Sequence, residues 1–498
     1  MHDDVRTTLK TRFGFDTLRP VQDDVIERLL APDARAGGDA MVVLPTGSGK
    51  SLCYQLPALV ERERRGGTTL VFSPLIALME DQVSALRSKG INATYVNSTV
   101  GKPKRLERYA KLAAGEYELF YATPERMLKD DFREALAAVP GGINLLAVDE
   151  AHCISSWGHD LRPAYQRVGE FRDAIGSPRT VALTATATKA VRTDIRRVLG
   201  VDDKTMPLFA GSIDRPNLEL GVREVWDDDD KLGAIGRIAR AHPGTGIVYF
   251  ALIKDLERFE PLVRAELAKD GYDVDVYHGK LDPKQKKRVY RRFTEATPDK
   301  PLLLLATNAF GMGVDKADIR FIAHAQVPGS VEAYFQEVGR AGRDGEPSRC
   351  ELLYAQSDLA IQQEFSQWAN PSPDLLMQCM SVIEGRYAGG GTGHGTFEAD
   401  DLRLDVVGKG HAHGRGGGTL EYALIALEKL GAIEFVGFGG GGEDGRGAYR
   451  YVRTLDDSEV DAEGIEEKRK RDLMRLLKVV EMTKAEDVAG FVREYFEL

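Results

Sequence analysis

The sequence has no apolar run long enough to cross a bilayer, which takes about 20 residues in a helical segment. Its opening residues, MHDDVRTTLK, lack both the basic segment and the apolar segment of a secretory signal peptide. From these two absences we expect a cytoplasmic protein that has no membrane partner.

Cysteine is also scarce. The four cysteines, Cys53, Cys153, Cys350 and Cys379, lie far apart in the sequence and form no CxxC pair. This spacing argues against a disulfide framework and against a zinc site made of cysteines. We expect the four thiols to be reduced and mostly buried, because unpaired cysteine behaves as a small apolar residue.

An excess of positive charge is absent as well. Lys and Arg number 67, Asp and Glu number 77, and the formal net charge is -10. This balance argues against a protein whose whole surface is basic and binds phosphate groups. It does not exclude DNA as a partner, because net charge governs solubility and steering while a local groove can still be basic.

The sequence does contain a repeated alternation of apolar, strand-like runs with helical patterns. Between about residues 15 and 210 the runs are AMVVLP, TTLVFSP, ATYVN, ELFYATP, INLLAVDEAH and TVALTATAT. A second series, after DRPNLEL, consists of GTGIVYFAL, YDVDVYHG, KPLLLLATNAF, DIRFIAHAQVP and SRCELLYA. The alternation predicts an α/β protein with two doubly wound parallel-sheet lobes in tandem, residues 1–210 and 211–355. Ligands of such sheets bind at the carboxyl ends of the strands.

The pattern changes after about residue 356. PSPDLLMQCMSVIEG predicts a helix, and TLEYALIALEKLGAIEFVGF predicts a helix that ends at Gly431 and is followed by a strand, which AYRYVRT would pair with as a hairpin. Helices followed by a hairpin indicate a small winged-helix-like unit within residues 356–455. Residues 456–498 are predicted to be terminal helices that pack through apolar side chains. These side chains are Leu473, Leu476, Leu477, Val480, Val488, Phe491 and Phe496.

A glycine-rich turn in MVVLPTGSGKSLCYQ stands between an apolar strand and a helix. The turn consists of Thr46, Gly47, Ser48 and Gly49. Backbone amides in such a turn cradle a polyphosphate, while Lys50 would reach the β- and γ-phosphates and Ser51 would hold Mg²⁺. Leu44 stands where the usual pattern begins with a small residue, so only the TGSGKS core matches. The alternative is an ordinary strand, turn and helix without a ligand.

Two acidic residues end the run LLAVDEAH. Asp149 is predicted to bind Mg²⁺, directly or through water, and Glu150 to orient and deprotonate the attacking water. An acidic surface turn is the alternative, which the presence of TGSGKS disfavours.

The segment YFQEVGRAGRDG contains Gln336, Arg340 and Arg343. Two arginines three positions apart fall on one side of a helical turn, from which they could meet the γ-phosphate across a cleft. We interpret the three residues as catalytic contributions from the second lobe. The alternative is that the two arginines lie on the solvent-exposed side of a helix and contact no ligand.

Taken in order, TGSGKS, DEAH, TATAT and QEVGRAGRDG resemble the motifs of a superfamily-two helicase of the RecQ family. LVFSPLIALMEDQ, YATPERM, YHGKLDPKQ and LLATNAFGMGVDK are similar to further RecQ segments, and the resemblance covers residues 13 to about 355. It implies two RecA-like lobes with ATP and Mg²⁺ as cofactors. FGFDTLRPVQ resembles the family's adenine-binding motif, which implies that Phe15 stacks on the base, that Arg19 lies beside it and that Gln22 reads the adenine edge.

The resemblance also implies contacts to DNA. CISSWGHDLRPAY is similar to the aromatic-rich loop that senses single-stranded DNA, so Trp157 would stack on or near a base while His159 and Arg162 relay occupancy to the nucleotide site. Leu161 stands where the family usually carries Phe, which removes one stacking surface. A packing role is the alternative for Trp157.

Further positions carry over from the family's motifs. Four residues resemble positions that touch the DNA backbone, namely Ser73, Thr123, Thr307 and Asn308. Asp315 lies where the family contacts ribose, and Thr184 and Thr186 resemble the motif that links hydrolysis to lobe movement. The alternative is that these residues simply end strands, with their hydroxyl groups hydrogen-bonded inside the protein.

The function that this resemblance implies is an ATP-dependent 3′ to 5′ DNA helicase in repair or recombination, nucleoid-associated if the source is prokaryotic. Its partners would be single-stranded DNA and tailed or forked duplex DNA. Two alternatives stay open: a translocase or remodelling ATPase that separates no strands, and an RNA helicase.

The C-terminal region departs from the family's order. A typical RecQ core is followed by a helical hairpin, a four-cysteine zinc knuckle and a winged helix, whereas here the winged-helix-like segment comes first. Asp487 stands near the position of a ligand cysteine, and no cysteine follows it. We therefore expect no structural zinc. His394, His411 and His413 could be read as an alternative metal site, but their glycine-rich surroundings favour a solvated loop.

Overall fold

The chain was analysed as a computed structural model that describes residues 3–31, 38–45, 47–74, 76–97, 99–155, 163–311, 316–388, 396–406, 417–438 and 447–496. The chain divides into two units, one formed by Met1–Tyr354 with Met482–Leu498 and the other by Ala355–Glu481. In the described part, none of the helices combines the length and the apolar character needed to cross a bilayer.

The first lobe contains seven strands. They are β1 (Ala40–Val43), β2 (Thr68–Phe72), β3 (Ala93–Val96), β4 (Leu119–Ala122), β5 (Ile143–Val148), β6 (Arg179–Thr184) and β7 (Leu208–Ala210). All pair in parallel, in the order β3-β4-β2-β5-β6-β1-β7. The six predicted runs are confirmed as strands, and β7 adds a short edge that the sequence pattern did not reveal.

In the part of this lobe that the structure describes, there are eight helices. They are α1 (Asp3–Thr8), α2 (Pro20–Leu30), α3 (Leu52–Arg65), α4 (Ile76–Ser88), α5 (Lys102–Ala113), α6 (Asp130–Ala137), α7 (Val168–Ala174) and α8 (Lys189–Leu199). A π-helical turn, Leu9–Phe13, follows α1, and short 3₁₀ turns occur at Pro124–Leu128, Ala151–Ile154 and Pro163–Arg167. Two apolar cores form, one containing Val42 and Leu145 and the other Met41 and Leu146, so successive residues of one strand point into different cores. Burial on both faces explains the nearly continuous apolar runs.

The second lobe has six parallel strands. They are β8 (Leu218–Glu224), β9 (Thr245–Tyr249), β10 (Asp273–Tyr277), β11 (Leu302–Ala306), β12 (Ile319–His324) and β13 (Ser348–Tyr354), in the order β10-β11-β9-β12-β13-β8. Its helices are α9 (Asp228–Ala241), α10 (Ile253–Glu266), α11 (Pro283–Glu295) and α12 (Val331–Val338), with a 3₁₀ turn at Ala268–Asp270. The prediction of two RecA-like lobes is therefore confirmed.

The second unit combines helices with a small antiparallel sheet. Its helices are α13 (Leu359–Ala369), α14 (Pro373–Tyr387), α15 (Ala399–Val406), α16 (Gly417–Lys429) and α17 (Ala462–Thr483), and 3₁₀ turns lie at Gln356–Asp358 and Asp457–Glu459. Its strands are β14 (Thr396–Glu398), β15 (Ile433–Phe438) and β16 (Gly447–Tyr451), in the order β14-β16-β15. The predicted helix, glycine stop and hairpin are present, with Gly431 at φ 71° in the left-handed region. This agrees with the winged-helix-like fold class.

A final helix, α18 (Val488–Phe496), belongs to the unit that contains the two lobes. The expected apolar packing of the terminal helices is only partly correct. Leu476, Val488 and Phe496 are buried, but Leu473 and Leu477 are exposed. The helical period of α17 places them off its buried face, which Val479 and Met482 share with Leu476.

Candidate active site

The glycine-rich turn lies between β1 and α3, at the carboxyl edge of the first sheet. Gly47 and Gly49 have φ of 81° and 83°, a conformation that L side chains rarely adopt. A Cβ atom on Gly49 would lie 2.7 Å from Nε2 of Gln22, so a side chain there would collide with its neighbour. The backbone of this turn is thus open and shaped as a cradle for phosphate oxygens. Thr46, predicted as part of the cradle, lies outside the described residues.

Lys50 is half-buried beneath the turn, and its Nζ donates a hydrogen bond to the Leu44 carbonyl at 3.1 Å. Removal of water lowers the pKa of Lys50, while Glu150 and Asp149 act to raise it. Ser51 lies next to it, immediately before α3. The structure therefore brings a cation, a hydroxyl and two carboxylates to the end of one sheet.

Asp149 and Glu150 directly follow β5. Asp149 is buried, and burial together with Glu150 raises the pKa of its carboxyl group. Glu150 has φ 48°, a left-handed conformation that is uncommon for a residue with a side chain. The Tyr165 hydroxyl donates to the Asp149 carbonyl at 2.9 Å and holds the backbone at this point. The strained backbone and the unfavourable carboxyl environment fit a site that binds a cation.

His152, the last letter of DEAH, contacts this site and was not among the predicted residues. Its Nδ1 lies 3.2 Å from Glu150 Oε2 and 3.0 Å from Thr184 Oγ1. Burial acts to lower the pKa of His152, but Cys153 and Glu150 raise it well above the ordinary value. The imidazole therefore links the predicted base to β6, where Thr184 Oγ1 in turn donates to the Thr186 carbonyl at 2.9 Å.

The residues predicted to bind adenine lie on both sides of the start of α2. Arg19 Nη1 donates to the Ser48 carbonyl at 3.0 Å, and Gln22 Nε2 donates to the Ser48 and Gly49 carbonyls at 3.2 Å each. Gln22 Oε1 also accepts from the Arg19 backbone amide at 3.0 Å. Arg19 and Gln22 therefore hold the glycine-rich turn in place through its backbone carbonyls. Phe15 is 53% exposed, which leaves its ring face open.

The second lobe contributes the loop after α12, and its two arginines occupy different places. A Cβ atom on Gly47 would lie 3.3 Å from Cδ of Arg343, so the Arg343 side chain lies against the glycine-rich turn of the first lobe. Arg340 is buried inside the second lobe, where a Cβ atom on Gly311 would lie 2.8 Å from its Nη2. Burial raises the pKa of Tyr249, and the nearby Arg340 acts against that rise. Gln336 is half-buried on α12.

A cavity of about 390 Å³ lies where the two lobes meet. Its lining includes Arg19, Gln22, Gly47, Ser48, Arg215 and Arg343. The structure thus brings the predicted phosphate cradle, two of the predicted adenine-site residues and one predicted arginine to a single cavity.

Arg215 and Asn217, in the connection between the lobes, were also missed by the sequence analysis. Arg215 donates to the carbonyls of Gly339, Ala341 and Gly342 at 3.3, 2.8 and 2.9 Å. Asn217 Nδ2 donates to the Gly342 carbonyl at 2.8 Å. Since these carbonyls flank Arg340 and precede Arg343, the connection fixes the loop that carries both arginines. The only sequence signal was the segment DRPN, which has no periodic pattern.

Helix α18 supports the same region from another side. Tyr495 Oη donates to Glu332 Oε1 at 2.8 Å, and the ring centroids of Phe496 and Phe335 are 5.2 Å apart. Arg493 forms an ion pair of 2.9 Å with Asp214, which immediately precedes Arg215. Helix α12 is therefore packed against α18.

The residues predicted to contact DNA lie at carboxyl ends of strands, as expected from the motif positions. Ser73 follows β2 and Thr123 follows the neighbouring β4, while Thr307 and Asn308 follow β11. Only Asn308 is exposed among them. Four other predicted residues fall outside the described part of the chain, namely Trp157, His159, Arg162 and Asp315.

The cysteines are free and buried, as expected. Over the described ranges, no group of three or more His, Cys, Asp and Glu side chains is arranged to hold a metal ion. His394, His411 and His413 lie outside those ranges.

Residues 19–194 match the DEAD/DEAH box helicase family, and residues 230–345 match the helicase conserved C-terminal domain. In solved structures, the chain is similar to that of Mycobacterium smegmatis helicase Lhr bound to ssDNA and AMP-PNP, with a TM-score of 0.56 and 18% identity over 91% of this chain and 60% of that one. At this identity the likeness shows the fold alone.

Two curated relatives come from Bacillus subtilis (strain 168). The ATP-dependent DNA helicase RecQ is 41% identical over 352 residues, which cover 70% of this chain and 56% of the relative. The chain thus spans little more than half the length of that relative. The probable ATP-dependent DNA helicase RecS is 36% identical over 404 residues, which cover 81% of this chain and 75% of RecS. Similarity of this extent, together with the motifs in two RecA-like lobes, shows that the chain belongs to the RecQ family of superfamily-two helicases.

Proposed function

We propose that this protein is an ATP-dependent DNA helicase of RecQ type that moves 3′ to 5′ along single-stranded DNA and unwinds tailed or forked duplexes. The observation that carries the proposal is the position of Arg343, a second-lobe residue that lies against the glycine-rich turn of the first lobe. A site completed by both lobes is what couples hydrolysis to lobe movement.

The residues present fit ATP with Mg²⁺. The open cradle at Gly47 and Gly49 suits phosphate oxygens, and the buried Asp149 with its raised pKa suits a cation that would stabilise its charged form. When bound, ATP would supply the phosphoanhydride bond whose hydrolysis drives the cycle, and Mg²⁺ would neutralise the charge of the phosphates. Ser51 and Asp149 would hold the metal ion, and Lys50 the phosphates.

Each remaining side chain has a proposed part in this chemistry. Glu150 would orient and deprotonate water, and His152 would keep the Glu150 carboxylate in place through its contact at 3.2 Å. Arg343 would stabilise the charge that develops on the transferred group. Arg340 and Gln336 would transmit the state of the site to the loop after β11, because Arg340 lies next to Gly311. Phe15 and Asp315 are proposed to contact base and ribose.

The strand ends of both lobes are proposed to hold the DNA backbone through Ser73, Thr123, Thr307 and Asn308. Trp157, His159 and Arg162 would sense the strand and report to the nucleotide site. The proposed division of the chain is residues 1–210 and 211–355 for the lobes, 356–455 for the winged-helix-like unit and 456–498 for the terminal helices. Absence of structural zinc and a cytoplasmic location are parts of the same proposal.

Strand displacement on matched duplexes with a 3′ or a 5′ single-stranded tail tests the proposal, with ATP consumption recorded in the same tubes. We expect displacement from the 3′-tailed duplex alone. ATP consumption without strand release would indicate a translocase, and stimulation by RNA rather than DNA would indicate an RNA helicase. Metal analysis that finds one bound zinc per chain would contradict the expected absence of zinc.

A further inference from the structure

Helix α11 is strongly basic in a chain whose net charge is -10. Its sequence, PKQKKRVYRRFTE, has six Lys or Arg residues among 13 and a single acidic residue. Two of the six cations have other partners: Arg292 forms ion pairs with Asp273 and Asp275, and Lys286 donates to the Gly279 carbonyl.

The other four cations form one face of the helix. Lys284, Lys287, Arg288 and Arg291 recur at the i, i+3, i+4 and i+7 positions that align on one side of an α-helix. All four are exposed, and no ion pair in the described part of the chain joins any of them to a carboxylate. The opposite side of the helix is buried through Val289 and Phe293. Like charges at these spacings repel one another mildly, and a bound anion relieves that repulsion.

The start of α11 lies close to two residues that are proposed to contact DNA. Tyr277 ends β10, and its carbonyl accepts a hydrogen bond from the Thr307 backbone amide at 3.1 Å. The chain then turns through Asp282, whose side chain caps the helix by accepting from the Gln285 amide at 2.9 Å. The basic face therefore begins at the edge of the sheet that carries Thr307 and Asn308. Because β10 and β11 are parallel, α11 runs from this edge back towards the edge where β11 starts, and the face spans about 10 Å at 1.5 Å per helical residue.

We propose that the face formed by Lys284, Lys287, Arg288 and Arg291 binds the phosphate backbone of single-stranded DNA, extending the track that begins at Thr307 and Asn308. This inference rests on the proposed function, because it takes those two residues as backbone contacts. Flexible lysine and arginine side chains on a regular face suit phosphates of any base sequence.

The test replaces two members of the face and compares them with a matched control. Arg288 also lies in the electrostatic surroundings of Asp275, so the variant is Lys287→Glu with Arg291→Glu. The control is Lys269→Glu with Lys300→Glu, which changes net charge equally. Lys269 and Lys300 are exposed and precede β10 and β11, so they lie at the opposite edge of the same sheet. Thermal melting checks that both variants fold.

The measurement is the affinity for a fluorescent oligothymidylate at several salt concentrations, in the full chain. Each lost phosphate contact lowers the slope of log affinity against log salt by about 0.7 for a single strand, so we expect a decrease of about 1.4. We expect the control to keep the wild-type slope.

The outcomes separate this inference from the proposed helicase function. If DNA stimulates wild-type ATP hydrolysis but the α11 variant matches the control in slope, the inference is wrong and the helicase proposal stands. If the variant weakens binding of a blunt duplex and leaves single-strand binding intact, the inference is also wrong. If wild-type protein neither binds the oligonucleotide nor responds to it, both fail.

Discussion

The two lobes contribute to the candidate site in different ways. In the first lobe, Lys50 lies in the turn before α3, Asp149 and Glu150 directly follow β5, and each influences the charge of the others directly. In the second lobe, the contribution is a loop after α12 that is held by hydrogen bonds from Arg215 and Asn217 to backbone carbonyls. In the proposed function, the first lobe therefore supplies the nucleotide site and the base, and the second lobe supplies the positive charge that turnover needs.

The largest expected effect is in the first lobe. Lys50→Ala should abolish ATP hydrolysis, because the ammonium group that neutralises the phosphates is lost. Lys50→Arg keeps the positive charge beside Asp149 and Glu150 and should also lack activity, since its planar group cannot replace a point charge in this position. Steady-state ATPase assays with thermal melting of both variants check the prediction. Wild-type-like turnover by either would show that the phosphates bind elsewhere.

The next effect separates the two arginines of the second lobe. Arg343→Ala should lower kcat by about 10³-fold or more, the range known for arginine fingers, with nucleotide binding retained. Arg340→Ala should in addition lower the melting temperature, because Arg340 is buried next to Tyr249 and Gly311. Binding of a fluorescent ATP analogue, single-turnover hydrolysis and melting distinguish the two. An equal decrease in melting temperature in both variants would contradict the different structural roles assigned to Arg340 and Arg343.

A smaller effect concerns the support of the loop. Arg215→Lys should lower kcat by about tenfold to a hundredfold, because an ammonium cannot span three carbonyls and small displacements of catalytic groups have costs of this size. The dissociation constant for nucleotide should change little. A variant that had merely lost its folded structure would bind nucleotide more weakly as well. Asn217→Asp, which loses the donor to Gly342, should shift kcat in the same direction.

The smallest effect is on stability. Tyr495→Phe removes the donor to Glu332, whose carboxylate is buried, and should lower the free energy of unfolding by about 1–3 kcal/mol. Arg493→Gln, at a pair with both side chains more than half exposed, should change it by less than about 1 kcal/mol. Denaturant unfolding followed in both variants gives the comparison. A larger decrease in the free energy of unfolding for Arg493→Gln would show that the ion pair with Asp214, and not the hydrogen bond of Tyr495, holds α18 in place.

Much of this architecture could be predicted from the sequence, for a physical reason. Strands buried on both faces are nearly continuous apolar runs, so β1 to β6 and β9 to β13 were recognisable. β7 has only three residues, and Leu218 is the only fully buried residue of β8, so neither strand gave a comparable signal. The glycine-rich turn was predictable because its backbone requires glycine at positive φ, and the acidic pair because metal binding and base chemistry call for carboxylates.

Contacts between distant segments could not be predicted in this way. Nothing in DRPN indicates that Arg215 reaches carbonyls more than a hundred positions away. The exposure of Leu473 and Leu477 depends on which side of α17 is covered, and that is decided by tertiary packing. The predictions for Trp157 and Asp315 fall outside the described residues and stay predictions.

The path of the chain has a consequence for synthesis. Strand β13 ends at Tyr354, and α18, which packs against the same lobe, follows only after all of Ala355–Glu481. On the ribosome the second lobe therefore emerges without the helix that covers Phe335 and Glu332. An apolar surface stays open until the inserted unit has been made, and during that interval the nascent chain is exposed to aggregation and to chaperones.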